Sequence, residues 1–174
     1  MPFDIHLVGQ QFRTRPAAFD ELLQNYGGHV GRIGFIDRRT DYLALLRASD
    51  VVLSTALHDF QGIAVLEAVQ AGCVPVVPDR LAYREHVPAE FRYRSEPADV
   101  QLEISAAVSM LKAYAAAKTS GKLPVAPPME HLTIEALKPH YRAIFERCSK
   151  RCDRAGLNRS DTMRRDRDGG DRNA

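Results

Sequence analysis

Two runs in the middle of the chain, Val51-Val52-Leu53 and Val74-Pro75-Val76-Val77, carry no alternating polar residues. A strand with one wet face alternates apolar and polar side chains, so runs like these belong in a parallel sheet covered on both faces. The intervening segments have helical period. Pro16–Tyr26 sets Phe19, Leu22 and Leu23 on one face and stops at Gly27-Gly28, and Thr40–Ala48 carries Leu43, Leu45 and Leu46. Further strands are predicted at Phe3–Val8, His29–Phe35 and, more weakly, Phe91–Tyr93, with further helices at Gln61–Ala71, Ala98–Ala117 and His131–Cys148. Pro75 falls at the start of its strand, where a missing donor is tolerable. This alternation predicts an open, doubly wound, Rossmann-like α/β sheet. Such sheets bind ligands beyond the carboxyl ends of their strands, here the loops after Val8, Phe35, Leu53 and Val77.

The 174 residues suit about one domain of ~100–200 residues. The expected organisation is a Rossmann-like α/β domain over 1–150 and a basic, disordered tail over 151–174. From Cys148 to Ala174 there are eight Lys/Arg and five Asp, which leaves the rest of the chain almost neutral. Three cysteines, Cys73, Cys148 and Cys152, make no disulfide framework and fit a reducing cytoplasm. No second Cys/His pair stands at zinc-ligand spacing, and no metal is expected. There is no run of ~18 apolar residues, so no membrane span is expected.

The chemistry concentrates between Ser54 and Val69, in a polar loop followed by a helix that is apolar nearly all round except for Glu67. A carboxylate there must be paired or hydrogen-bonded. Either it bonds to a neighbouring backbone group or Arg, or it faces the ligand crevice and accepts hydroxyl hydrogen bonds. Asp59, at the start of the same helix, is either an ordinary N-cap or an acceptor for a sugar hydroxyl, and the two are compatible. Gly62 allows close approach to a helix start whose backbone N–H groups suit phosphate or sugar oxygens.

Asp59-x7-Glu67 with Gly62, followed by Ala71-Gly72-Cys73-Val74-Pro75-Val76-Val77, resembles the E-x7-E signature of retaining GT-B glycosyltransferases of family 4. Within that family the likeness is strongest to the tRNA-queuosine α-mannosyltransferases. It rests on Ser54-Thr55-Ala56-x-His58, Phe60–Gly62, Leu66-Glu67-Ala68-Val69, Gly72-Cys73, Arg80-Leu81-Ala82-Tyr83-Arg84-Glu85 and Pro88-Ala89-Glu90-Phe91. The resemblance implies a donor-binding C-terminal half that takes a nucleotide sugar, with GDP-mannose favoured. It also implies tRNA as acceptor of the whole enzyme and no cofactor beyond the donor substrate. Asp59 would hold hydroxyls of the transferred sugar, with His58 beside it unless that His is a plain surface residue. Phe60, Gln61, Gly62 and Ile63 would line the donor, Glu67 would bind ribose hydroxyls, Phe35 and Ile36 would lie against the base, and Glu85 would brace the following loop.

Three positions depart from the family pattern: Asp59 stands for Glu, Gln61 for an aromatic or Gly, and Arg84 for Pro. The likeness begins at what resembles the second strand of that half. The central strand, the Arg and Lys that neutralise the diphosphate, and the acceptor half have no counterpart. Phe3–Val8 is then expected either to pair directly with Val51–Leu53 or to leave a seam in the sheet. Arg13 and Arg15 are the only nearby substitutes for the diphosphate cations, unless they form a solvated turn. The isolated chain is expected to be marginally stable and inert in transfer, and to need a separate N-terminal half. Two other functions compete, a non-catalytic nucleotide-binding module and RNA binding through the 148–174 tail. Five interspersed Asp residues dilute that tail. No G-x-G-x-x-G follows any strand, which argues against a dinucleotide oxidoreductase.

Overall fold

The computed structural model describes residues 3–9 and 17–154. Two compact units are present, Met1–Pro128 and Met129–Ala174. The first is an open α/β arrangement of Rossmann-like type in which every strand pairing is parallel. Its order is β1 (Ile5–Val8), α1 (Ala17–Tyr26), β2 (Val30–Gly34), α2 (Arg39–Ala48), β3 (Val51–Leu53), α3 (Ile63–Gln70), β4 (Val74–Pro78), a short α4 (Tyr83–His86), β5 (Arg92–Tyr93) and α5 (Val100–Thr119). The second unit is a 3-10 turn at Glu130–Leu132 and the long α6, Ile134–Arg154. The boundary expected between 150 and 151 therefore falls inside a helix; Arg13, Arg15 and most of the basic tail lie outside the described residues. Among the described residues no helix is long and apolar enough to cross a membrane.

β4 is the centre of the fold, buried at every position and flanked by β3 and β5. Two prolines in a central strand would ordinarily break its ladders. Here each falls where no partner is waiting. Val74 N–H donates to Asp50 and Val76 C=O accepts from Ser54, so these residues turn their backbone to β3. Pro75, between them, turns the other way, toward β5, which pairs only with Val77 and Pro78. The next bond on that side is Asp79 N–H to Tyr93 C=O.

The strands form two sheets, β1–β2 and β3–β4–β5, with no ladder between them. Of the two expected outcomes for Phe3–Val8, the structure takes the seam. β3 accordingly lacks the double cover that its composition implies: Leu53 is exposed, and Val51 and Val52 are half-buried. Within the small sheet, Ile5 faces Val30 while Leu7 faces Ile33, so β2 carries one extra residue. The His6 ring fills the irregularity, its Nδ1 accepting from Arg32 N–H at 2.9 Å. A Cβ on Gly31 would stand 2.4 Å from that ring, so a side chain there would push the exposed His6 ring aside.

α2 and α3 close over the strands through Leu46, Ala68 and Cys73, with Tyr42, Leu43 and Val52 packed against them. Burial pushes the Cys73 thiol up, and it donates to the Leu46 and Ser49 carbonyls, so it is a core group and not a nucleophile. α5 begins with Asp99, whose side chain caps Leu102 N–H. It is held at that end by Glu103, which accepts from Arg80 at 2.8 Å and from Ser95 at 3.0 Å.

Burial acts to raise the Glu103 pKa, but the Arg80 and Ser95 hydrogen bonds outweigh it and hold the carboxyl below its ordinary 4.5. A folded-state value below the unfolded one means that the pair stabilises fully above about 4.5. The contribution is lost as pH falls through the lower folded value. Glu103→Gln is expected to lower stability at neutral pH and to flatten the acid limb of the stability–pH curve. Thermal melts across a pH series test this, and parallel acid limbs in the two proteins would reject it.

Candidate functional site

The loop from Ser54 to Gly62 joins the end of β3 to α3, and it is braced from below. Asp59 Oδ1 accepts from Gly62 N–H at 2.6 Å and from Gln61 N–H at 3.2 Å. Asp59 Oδ2 accepts from the Tyr83 hydroxyl at 2.8 Å. That hydroxyl is also 2.8 Å from Ser54 Oγ. A phenol has one proton, and with it on Asp59 the Ser54 hydroxyl must donate to Tyr83. Tyr93 OH adds a bond to the Ser54 carbonyl at 3.0 Å. Burial, then the bond and charge of Asp59, push the Tyr83 pKa up to about 12, against the opposing Ser54 bond. Tyr83 therefore keeps its proton and stays a donor across the physiological range.

Gly62 has a requirement that composition does not reveal. It adopts a left-handed φ of 66°, and a Cβ there would stand 3.0 Å from the Tyr83 ring. Loop, capping carboxylate and tyrosine thus fix one another, and the first turn of α3 starts from a defined place.

At the other end of the x7 spacing, Glu67 Oε1 accepts from Arg39 Nη2 at 2.7 Å and Oε2 accepts from Tyr42 OH at 3.2 Å. Both donors come from α2. Burial and the adjacent carboxylate raise the Tyr42 pKa, and the Glu67 bond raises that of Arg39, so both remain donors. Of the alternatives open for Glu67, pairing with an Arg is what the structure contains.

Arg39 and Tyr42 also line a concavity of about 370 Å³. Its other walls are Val8 and Gly9 at the end of β1, Phe35, Ile36 and Asp37 after β2, and Ala64 on α3. That is the carboxyl-end crevice expected of such a sheet, and its size lies in the ~300–1,000 Å³ range of small-molecule sites. Phe35 and Ile36 thus fall on one wall. Glu67, partly exposed, is not among the lining residues but is joined to two of them by its hydrogen bonds to Arg39 and Tyr42. Ile63 opens α3 with its side chain exposed, beside Ala64. His58, Phe60 and Gln61 are exposed on the loop, outside the concavity. Glu85 is exposed on α4 and its carboxylate makes no hydrogen bond or ion pair among the described residues, whereas Tyr83, two positions earlier, braces the loop.

Arg39, Tyr42, Asp37 and Tyr83 are the site residues that pattern reasoning passed over. Arg39 carried a faint signal. A cation in the first turn of a helix opposes the helix dipole, so it is expected to have another partner. Tyr83 lies within the family-like stretch Arg80–Glu85, but nothing in its spacing points to Asp59.

Over 96 residues the chain is 34% identical to the tRNA-queuosine alpha-mannosyltransferase of Drosophila melanogaster. The matched stretch is 55% of this chain and 25% of that protein. The chain spans about a quarter of the length of the curated relative it matches, and the similarity supports a relation to that family. No protein-family model matches the chain, and no solved structure matches it.

Removing the Tyr83 hydroxyl would leave Asp59 Oδ2 and Ser54 Oγ without their shared partner in a half-buried place. Tyr83→Phe is expected to cost about 1–2 kcal/mol. It should also speed amide exchange at Gln61 and Gly62, whose N–H groups Asp59 holds. Urea melts and exchange measured by NMR check both effects; unchanged protection at Gly62 would show that Tyr83 does not hold the loop.

Proposed function

We propose that the first unit is a donor-binding domain for a nucleotide sugar, belonging to a retaining glycosyltransferase of the GT-B, family 4 type. The observation that carries this reading is the carboxyl-end concavity walled by Phe35 and Ile36, with the Glu67 carboxylate held by Arg39 and Tyr42 of its lining. An apolar wall suits a base. An acceptor held at fixed distance suits a pair of ribose hydroxyls, since an ionised carboxylate accepts about four hydrogen bonds and Glu67 has used two.

The next part of the donor falls to α3. The opening N–H groups of a helix have no partner within it and favour anions, so the turn at Ile63 and Ala64 suits the diphosphate. Asp59, fixed by Tyr83, keeps acceptor capacity on Oδ2 for a hydroxyl of the transferred sugar, with His58 close by in sequence. Phe60, Gln61 and Gly62 present the loop backbone to the same group. Similarity to a tRNA-queuosine alpha-mannosyltransferase favours GDP-mannose as donor and queuosine in tRNA as acceptor. A further half would supply the acceptor site and cations for the leaving diphosphate, in a cytoplasmic enzyme that needs no metal. Both oxygens of Asp59 are already engaged. That favours, as the second reading, a module that binds nucleotide without catalysing transfer.

A thermal-shift panel of GDP-mannose, UDP-glucose, GDP and NAD on wild type and Glu67→Ala tests the donor site. Ligand at 100 times its Kd stabilises the folded state by about 2.7 kcal/mol, which is roughly 5–10 °C at this size. The expected outcome is a shift with a sugar nucleotide that Glu67→Ala abolishes. A cooperative melt that no nucleotide moves would overturn the reading. Transfer from GDP-mannose to queuosine-containing tRNA, assayed with and without the complementary half, separates the enzyme from the non-catalytic module.

A further inference from the structure

Three polar residues line the concavity, and their engagements differ. Arg39 and Tyr42 are both committed to Glu67. Asp37 is not: its carboxylate makes no hydrogen bond or ion pair among the described residues. Neither neighbouring guanidinium neutralises it, because Arg38 pairs with Asp41 at 3.9 Å and Arg39 with Glu67. Asp37 also stands in a particular relation to the apolar wall. Ile36 is buried, while Phe35 and Asp37 on either side of it are exposed and line the same concavity. Phe35, at 59% exposure, has an aromatic ring with most of its surface uncovered.

On the nucleotide reading above, on which this inference rests, a flat ring lying against Phe35 and Ile36 would bring one of its edges to Asp37. We propose that Asp37 is the residue that selects the base, and that it selects guanine. An ionised carboxylate only accepts hydrogen bonds, through two oxygens side by side. Guanine carries two donors side by side on one edge, the ring N1–H and the exocyclic amine. The two sets match as a bidentate, charge-assisted pair. Uracil offers a single N–H between two carbonyl oxygens, which the carboxylate repels. Adenine and cytosine each set one amine donor beside a ring nitrogen acceptor. Hypoxanthine keeps the N1–H of guanine and lacks the amine, so it isolates half of the interaction.

The rival role for a carboxylate in this place is to bind ribose hydroxyls, which every nucleotide shares. Calorimetric titration of the full 174-residue chain with GDP, IDP, UDP and ADP distinguishes the two, on wild type, Asp37→Asn and Asp37→Ala. Asp37 is exposed and without a partner among the described residues, so both variants are expected to melt as wild type does. Wild type is expected to bind GDP roughly 10–100-fold more tightly than UDP or ADP, with IDP between them. Both variants should bring GDP and IDP down to the level of UDP and ADP, which themselves should change by no more than about twofold. A guanine preference that survives in both variants would overturn the assignment and leave the donor site standing. So would an equal loss for all four nucleotides, which would assign Asp37 to the ribose. Failure of all four to bind wild type would remove the nucleotide reading and this inference together.

Discussion

Glu67 sits on a helix whose other side chains are almost all apolar, and a carboxylate in such surroundings is costly unless donors reach it. The donors that reach it, Arg39 and Tyr42, belong to α2. The consequence extends well beyond one ion pair. The β1–β2 and β3–β4–β5 sheets share no ladder, so the backbone does not join them side by side. α2 follows β2 and packs its Leu46 against Ala68 and Cys73 of the second sheet's layer. The Glu67 pairings fix the opposite end of that same helix. Apolar packing at its C-terminal end and hydrogen bonds at its N-terminal end therefore set where the loop after β2 stands relative to α3. The concavity between them inherits its shape from that arrangement.

The exposed part of the Arg39–Glu67 pair argues against treating it as a large source of stability. Arg39 is two-thirds exposed and Glu67 about a quarter, and ion pairs in such positions contribute little. Its value lies in orientation. The Arg80–Glu103 pair is different: both partners are nearly covered, and removing either would leave a charge without compensation under α5. One pair shapes a site and the other anchors a helix.

Much of this was legible in the sequence because it is written in local pattern. The unbroken apolar runs at 51–53 and 74–77 became β3 and β4, and the helical periods became α1, α2, α3 and α5, with shifts of a few residues at their ends. The family resemblance singles out Phe35, Ile36 and the x7 carboxylates, and the first two line the concavity. What stayed hidden depends on side chains meeting across long separations. Tyr42 and Glu67 are 25 residues apart, and Tyr83 and Asp59 are 24 apart; no periodicity encodes either meeting. α4, a single turn, is too short for a hydrophobic period. The partial exposure of β3 was hidden for a different reason. Composition records which faces a strand is able to bury, and the seam decides which of them it does bury.

The two ends of the x7 spacing share one construction. Each carboxylate is held by a tyrosine from a separate element, Tyr83 for Asp59 and Tyr42 for Glu67, and each tyrosine has its pKa raised by burial and by the carboxylate it serves. A phenol that cannot ionise is a permanent donor, so the orientation it imposes does not change with pH near neutrality. The carboxylate rotamers are thereby chosen before any ligand arrives, and little side-chain entropy remains to be lost on binding. The same construction limits reach. An oxygen already tied to a tyrosine cannot swing outward, and Asp59 is one methylene shorter than the Glu of the pattern it resembles. Whatever Asp59 contacts must therefore come down to the loop.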